Sequence, residues 1–404
     1  MIASDEIIYL DNNATTQLDP VVIEEMLPFL TRFYGNPSSG HKFGAQVRKA
    51  IDRAREGVAS LLDCEPAEIV FTSGGTESNN AAINSALQID PARKHIVTTA
   101  VEHSAVLRHC QRLARSGCDV TFLAIDEEGH VDLAELEQSI RSDTAIVSVM
   151  WANNETGVTF PVEQIAALCR DKGVLFHTDA IQAVAKVPIR LRNSGISFLS
   201  LSGHKFHGPK GIGALYVNRD VRFQPSIVGG GQEDGRRAGT ENVASIVGLG
   251  KAAERAAESL PEKTRVRTMR DRFENEILRL VNGATINGDR AQRLPNTCSI
   301  SFPGIEASSA LTLLDENRVC CSAGSACRTG SVDGSHVLRA MKLNADRVRG
   351  SLRFSFGRFN SDSDVEKACR IVPDVIGKLR GLPSFGVARR DRPRSQPQKM
   401  EKSF

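Results

Sequence analysis

The sequence predicts a mostly parallel α/β fold followed by a smaller α+β unit, on three observations. Short apolar runs alternate with longer amphipathic stretches through the first half of the chain. Several of these runs end in residues bearing hydroxyl, amide, carboxylate or amine groups. Further on, a long helical stretch gives way to two more apolar runs.

In chain order, the amphipathic pattern from Ala45 to Leu62 predicts a helix and Glu68-Ile69-Val70-Phe71 a buried strand. Further strands are predicted at His95-Ile96-Val97-Thr98, Val120-Thr121-Phe122-Leu123 and Ala145-Ile146-Val147-Ser148-Val149. A helix over Pro161 to Lys172 leads to strands Val174-Leu175-Phe176-His177 and Ile196-Ser197-Phe198-Leu199. Such alternation builds a parallel sheet, because parallel strands need a crossover between them. Ligands of these sheets sit at the carboxyl ends of strands, so the residues just after each run matter most. From about Val243 to Val281 the pattern is helical, with no proline between Glu262 and the Asn282-Gly283 stop, and predicts a bridge between two domains. Thr297 to Ser301 and Leu352 to Ser355 then read as strands of the smaller unit. After Pro383, residues Arg389, Arg390, Arg392, Pro393, Arg394 and Pro397 give a basic, polar tail, read as a solvated end.

Composition narrows the partners. The 404 residues are 41% hydrophobic and 25% charged, as in ordinary globular proteins. A net charge of +3 gives no reason to expect nucleic acid, and no apolar run is long enough to span a membrane. The nine cysteines lack disulfide or zinc-ribbon spacing, and Met1 to Glu6 lacks the regions of a secretory signal. A reducing cytoplasm is the expected compartment.

The strand ends carry the chemistry. Lys205 closes Ser200-Leu201-Ser202-Gly203-His204-Lys205, where a lysine can lose its proton and form a Schiff base with an aldehyde cofactor. Lys210 competes for that role but sits in a turn among Gly208, Pro209 and Gly211. Thr72-Ser73-Gly74-Gly75-Thr76 offers a glycine turn and a helix start, which suit a phosphate and serve equally as a plain cap. Asp179, after Leu175-Phe176-His177-Thr178, suits either a pyridinium nitrogen or a helix N-cap. Asn153, Asn154 and His103 follow two other runs, and a lone histidine there is more often structural than catalytic. Cys327 ends Ser322-Ala323-Gly324-Ser325-Ala326-Cys327, small residues that suit a reachable thiolate. Adjacent Cys320 and Cys321 make a poor chelate, and His204 with His207 lacks a nearby third zinc ligand.

At this point the chain resembles the cysteine desulfurases of the NifS/IscS type, among the class V aminotransferase-like pyridoxal-phosphate enzymes. The resemblance covers residues 7 to 380 and is carried by Tyr9-Leu10-Asp11-Asn12-Asn13-Ala14-Thr15-Thr16, Gly35-Asn36-Pro37-Ser38-Ser39, Thr76-Glu77-Ser78-Asn79-Asn80, Ser202-Gly203-His204-Lys205 and Arg236-Arg237-Ala238-Gly239-Thr240. Val147 to Gly157 and Phe176 to Ala180 are worded most like the nitrogenase-associated NifS branch. The resemblance implies a fold-type I transferase: a large domain over 15–258 with a mostly parallel seven-stranded sheet, a small domain from 1–14 and 259–383, and a tail over 384–404.

It implies pyridoxal 5'-phosphate as cofactor, held by Lys205, with His103 stacked on the ring and active in acid–base steps. Asp179 would pair with the ring nitrogen, and Gln182 and Asn154 would bond the ring-oxygen side. Gly75, Thr76, Ser202, Gly203 and His204 would bind the phosphate, with Thr240 completing that site from the partner of a homodimer. Arg353 would clamp the carboxylate of the substrate, L-cysteine, helped by Asn154. Cys327 would take the sulfur as a persulfide while L-alanine leaves, for delivery to a U-type iron–sulfur scaffold protein. A metal role is implied for Cys327 alone, as a transient iron–sulfur ligand. Two positions depart from the family: Ser322-Ala323-Gly324 stands where Ser-Ser-Gly is usual, and Arg328 where threonine is common. Arg328 would favour the thiolate electrostatically. A selenocysteine lyase or general C–S lyase is the alternative within the enzyme class, and a non-catalytic scaffold the alternative outside it.

Overall fold

The computed structural model describes residues 6–258, 260–323 and 334–381. Cys327 and the tail 384–404 lie outside the described residues. The strands are β1 (Ile8–Tyr9), β2 (Ile69–Thr72), β3 (His95–Thr99), β4 (Asp119–Leu123), β5 (Thr144–Ser148), β6 (Leu175–Asp179), β7 (Phe198–Ser202), β8 (Gly213–Val217), β9 (Thr285–Ile286), β10 (Thr297–Ser301), β11 (Val319–Cys320) and β12 (Ser351–Ser355). The helices are α1 (Pro20–Thr31), α2 (Lys42–Leu62), α3 (Gly75–Ile89), α4 (Ser104–Arg115), α5 (Leu133–Ser139), α6 (Val162–Asp171), α7 (Val243–Ala257), α8 (Leu260–Leu280), α9 (Ala307–Glu316), α10 (His336–Ala340), α11 (Ala345–Arg349) and α12 (Asp362–Gly381).

Seven strands form the main sheet in the order β2-β8-β7-β6-β5-β3-β4. All neighbours are parallel except β8, which runs antiparallel to both β2 and β7. Ten residues without an α-helical crossover separate β7 from β8, a link too short for a parallel return. Strands β2, β3, β5, β7 and β8 are buried along their whole length, the signature of a sheet covered on both faces. Edge strand β4 instead exposes Asp119 and Phe122. Helix α2 shows how the cover is built: Val47, Ile51, Ala54, Val58 and Leu62 form one buried stripe, and Asp63 in the left-handed region ends the helix.

The predicted strands and the helices at α2 and α6 are present, each within a few residues of its expected bounds. The helical stretch from Val243 is built as two helices, α7 and α8, with Pro261 in the first turn of α8, where its missing N–H costs no helical bond.

A second core gathers around β10 and β12, where Phe273 of α8 packs against Phe354 and Phe356 with ring centroids 4.8 and 5.6 Å apart. Ile8 and Leu10 belong to this core, and β1 pairs in parallel with β11. The chain then passes Asp11, bridged to Ser355, and brings Asn13 and Ala14 to the carboxyl edge of the main sheet.

Candidate active site

The carboxyl ends of β6 and β7, the N-termini of α3 and α4, and the middle of β12 border one cavity of about 540 Å³. Gly75, Thr76, His103, Asn154, Asp179, Gln182, Ser202, His204, Lys205 and Arg353 all line it. Gly203 is buried in the turn between Ser202 and His204. Thr240 borders a different cavity, of about 150 Å³, with Arg237 and Glu241.

Lys205 ends the single 3₁₀ turn that follows β7. Its Nζ donates to the carbonyls of Asn13 at 2.7 Å and Ala14 at 2.8 Å, so the N-terminal segment fixes where the amine stands. Lys210 borders a shallower depression beside Gly74, Gly75 and Thr76.

Asp179, the last residue of β6, is buried and accepts from Asn79 Nδ2 at 2.7 Å and from the Ile181 N–H at 3.1 Å. Burial pushes its carboxyl above the usual range, while His103 and Lys205 pull it back. His103 caps α4 by accepting the Ala105 N–H at Nδ1, 3.2 Å away, which leaves a neutral ring's proton on Nε2. Burial lowers its pKa, as do the charges of Lys205 and His336, against the opposing pull of Asp179.

The first turn of α3 is a ready anion cradle. Gly74 has φ +147°, no side chain caps the helix, and the first helical N–H groups have no partner within it. A Cβ on Gly75 would fall 2.0 Å from Ile181 Cδ1, so a larger residue here would require the end of that side chain to move. Thr76, Ser202 and His204 surround this turn. His204 Nδ1 lies 3.1 Å from Thr15 Oγ1, and burial lowers its pKa to about 4, so it is neutral near pH 7. His207 Nδ1 bonds the Gln17 carbonyl instead.

Arg353 is 2% exposed in the centre of β12. One Nη donates to the Asn154 carbonyl at 2.8 Å and the other to Asp11 at 2.7 Å, while Nε has no partner among the described residues. The backbone of Arg353 also pairs with Ser322, where the segment toward Cys327 begins.

Several residues at this site escaped the reading of the sequence. Asn79 supports Asp179, and Glu155, His336 and Arg339 line the cavity. Asn13 ties Lys205, Thr297 and Asn296 together. Lys186 donates to Gln182. The legible signals were Asn79 on the inward face of α3 and Lys186 set among Ala183, Val184, Ala185 and Val187.

Pyridoxal phosphate fits these residues. The uncapped α3 turn suits its phosphate, the buried Asp179 accepts from Asn79 and from the Ile181 N–H, and the Lys205 amine stands in the same cavity.

The chain belongs to the class-V aminotransferase family, whose model matches residues 8–368. Within that family its relatives include cysteine desulfurases. Cysteine desulfurase 2 of Trichormus variabilis is 52% identical over 94% of this chain and 95% of its own length. Cysteine desulfurase NifS of Azotobacter vinelandii is 50% identical over 94% of each. A solved NifS-like protein superposes with a TM-score of 0.87 at 37% identity, covering 92% of this chain and all of that one. SspA in complex with cysteine gives 0.76 at 35% identity, over 87% and 99%.

Proposed function

We infer that the chain is a cysteine desulfurase: it removes sulfur from L-cysteine with pyridoxal 5'-phosphate and releases L-alanine. The observation that carries this reading is one cavity holding an amine, Lys205, a buried carboxylate, Asp179, and a buried guanidinium, Arg353. When bound, the cofactor supplies an electron sink that labilises bonds at the substrate α-carbon.

The chain's own groups do the rest. Asp179 holds the proton on the ring nitrogen, and the α3 turn with Ser202 and His204 holds the phosphate. Lys205 takes and returns the α-proton, with His103 Nε2–H beside it as a neutral donor. Arg353 orients the substrate carboxylate, using donors that now point to Asp11 and Asn154. The Cys327 thiolate takes the sulfur atom as a persulfide, the C–S bonding pair stays with carbon, and protonation there completes L-alanine.

The cluster around β10 and β12, apart from the two clusters that cover the main sheet, supports domains over 15–258 and over 1–14 with 259–383, while Leu294 and Val337, Leu338, Met341, Leu343 and Val348 pack with the main-sheet cluster. A homodimer is supported by α1, which exposes Val21, Ile23, Leu27 and Leu30 (65% exposed), with Tyr34 just beyond at 80%. Thr240, away from the cavity in its own chain, would then serve its partner's phosphate. We assign the sulfur to a U-type scaffold for iron–sulfur clusters, with nitrogenase as destination and the cytoplasm as compartment, on the NifS-like motifs. Among the described residues no helix is long and apolar enough to cross a membrane.

The test is alanine and sulfide production from L-cysteine with a thiol present. The unaltered chain should give equal amounts of both, and Cys327→Ala should bind cofactor yet give neither. Turnover by Cys327→Ala would remove Cys327 from the role, and faster turnover of L-selenocysteine would favour a selenocysteine lyase.

A further inference from the structure

A second amine near Lys205 has no part in the chemistry above. Lys186 follows Gln182 by four residues, and its Nζ donates to Gln182 Oε1 at 2.7 Å and lies 3.5 Å from Asn13 Oδ1. The other end of the Gln182 amide donates from Nε2 to the Asn13 carbonyl at 2.9 Å. That same carbonyl accepts from Lys205 Nζ. A backbone carbonyl can only accept, so the amide nitrogen must face Asn13 and its oxygen must face the lysine. Gln182 is therefore held in one sense from both ends. One N–H of Nε2 goes to Asn13, and the other remains for the cavity that Gln182 lines.

We propose that Lys186 is a positioning residue for the cofactor: by occupying Gln182 Oε1, it makes Gln182 a hydrogen-bond donor toward the oxygen on the cofactor ring. The proposal rests on the pyridoxal-phosphate reading above and deepens it. The ring oxygen carries negative charge when Lys205 holds the cofactor, and a donor beside it spreads that charge. The neighbouring lysine-derived nitrogen then keeps its proton less tightly.

Burial and the charges of Lys205 and Arg353 push the Lys186 amine well below the usual lysine range. Neutral or charged, it retains an N–H for Gln182. Among the described residues Lys186 pairs with no carboxylate. The other titratable or charged groups bordering Lys186 are Lys205, His207, Lys263 and Arg358, and those sharing the larger cavity with Gln182 are Lys205, Asp179, His103, His204, His336, Glu155, Arg108, Arg339 and Arg353. Lys186 also borders a small cavity of about 80 Å³ with Asn12, Thr16 and Phe356, which leaves room for a longer side chain.

The experiment is a pH titration of the visible absorbance of the cofactor-loaded chain. Lys186→Met should raise the midpoint by about one pH unit, the worth of one net hydrogen bond. Gln182→Leu should raise it equally, and the double variant no further, because both remove the same contact. Lys186→Arg, which keeps a donor, should retain the original midpoint. An unmoved midpoint in Lys186→Met, additive shifts in the double variant, or a shift in Lys186→Arg as large as in Lys186→Met would each overturn the role. If the unaltered chain supplied with pyridoxal phosphate shows no visible band, the cofactor reading itself fails, and the Lys186 role fails with it.

Discussion

Arg353 illustrates how a single residue is prepared for its ligand: Asp11 and the Asn154 carbonyl hold its two Nη groups, and the residue is 2% exposed at the wall of the cavity. Removing Asp11 frees the guanidinium to wander, whereas asparagine keeps an acceptor for the same Nη. Asp11→Ala should therefore raise KM for L-cysteine about tenfold with kcat little changed, roughly 1.4 kcal/mol of positioning, and Asp11→Asn should not. Steady-state kinetics on both variants decide it, and an equal rise in both would assign the effect to charge instead. Glu102 gives a second prediction at this scale. It is fully buried, its Oε1 accepts from Thr99 and the Met150 N–H, its Oε2 has no partner among the described residues, and burial pushes its pKa to about 8. The folded chain holds a proton that the unfolded chain gives up near its ordinary value of 4.5, so this group costs stability as pH climbs from there to about 8. Glu102→Gln should flatten that loss by an amount on the order of a few kcal/mol. Denaturant unfolding at pH 5 and pH 8 checks it; parallel losses in both proteins would rule it out. The motif residues Lys205, Asp179 and His103 were legible one by one, because a polar group after an apolar run announces a strand end. Lys186 and Asn79 stood out only as polar groups in apolar surroundings. Their roles were not legible, since Asn79 meets Asp179 100 residues away and Asn13, which meets both Gln182 and Lys186, lies far off in the chain.

Among the elements, the start of α3 matters most to the site. Gly75 packs against Ile181, and Arg237 grips Glu77 in the same turn at 3.0 Å, so both the apolar and the charged side of the turn are held. Gly75→Ala should destabilise the fold by about 1–3 kcal/mol and speed cofactor loss, because Ile181 or the turn must move. Thermal unfolding and absorbance after dialysis measure the two effects, and a variant that keeps its cofactor would show that the turn can yield. Period and composition made β2, β3, β5, β6, β7, α2 and α6 readable, since each is long or apolar enough to signal itself. Strand β8 was hidden beside the glycine-rich turn at 208–213, and β1 has only two residues. Such short strands exist because a partner offers hydrogen bonds, which no local pattern records. The break between α7 and α8 follows from Pro261, yet helical composition on both sides concealed it.

For the molecule as a whole, the exposed apolar face of α1 sets the next prediction. If a second copy covers it, Leu27→Arg with Leu30→Arg should halve the mass seen by sedimentation equilibrium, because two buried charges without partners oppose association. An unchanged mass would place the contact elsewhere. The sequence by itself determined the fold class, the order of the large-sheet elements, and the residue types that make pyridoxal-phosphate chemistry feasible. These depend on periodicity and on short motifs, which are local. Only the tertiary structure decided that Asn13 and Ala14 hold the Lys205 amine, that Asp11 steers Arg353 and that Lys186 sets the sense of Gln182. Those contacts join segments as far as 342 residues apart, and their hydrogen-bond geometry exists only once the apolar clusters have packed around the cavity.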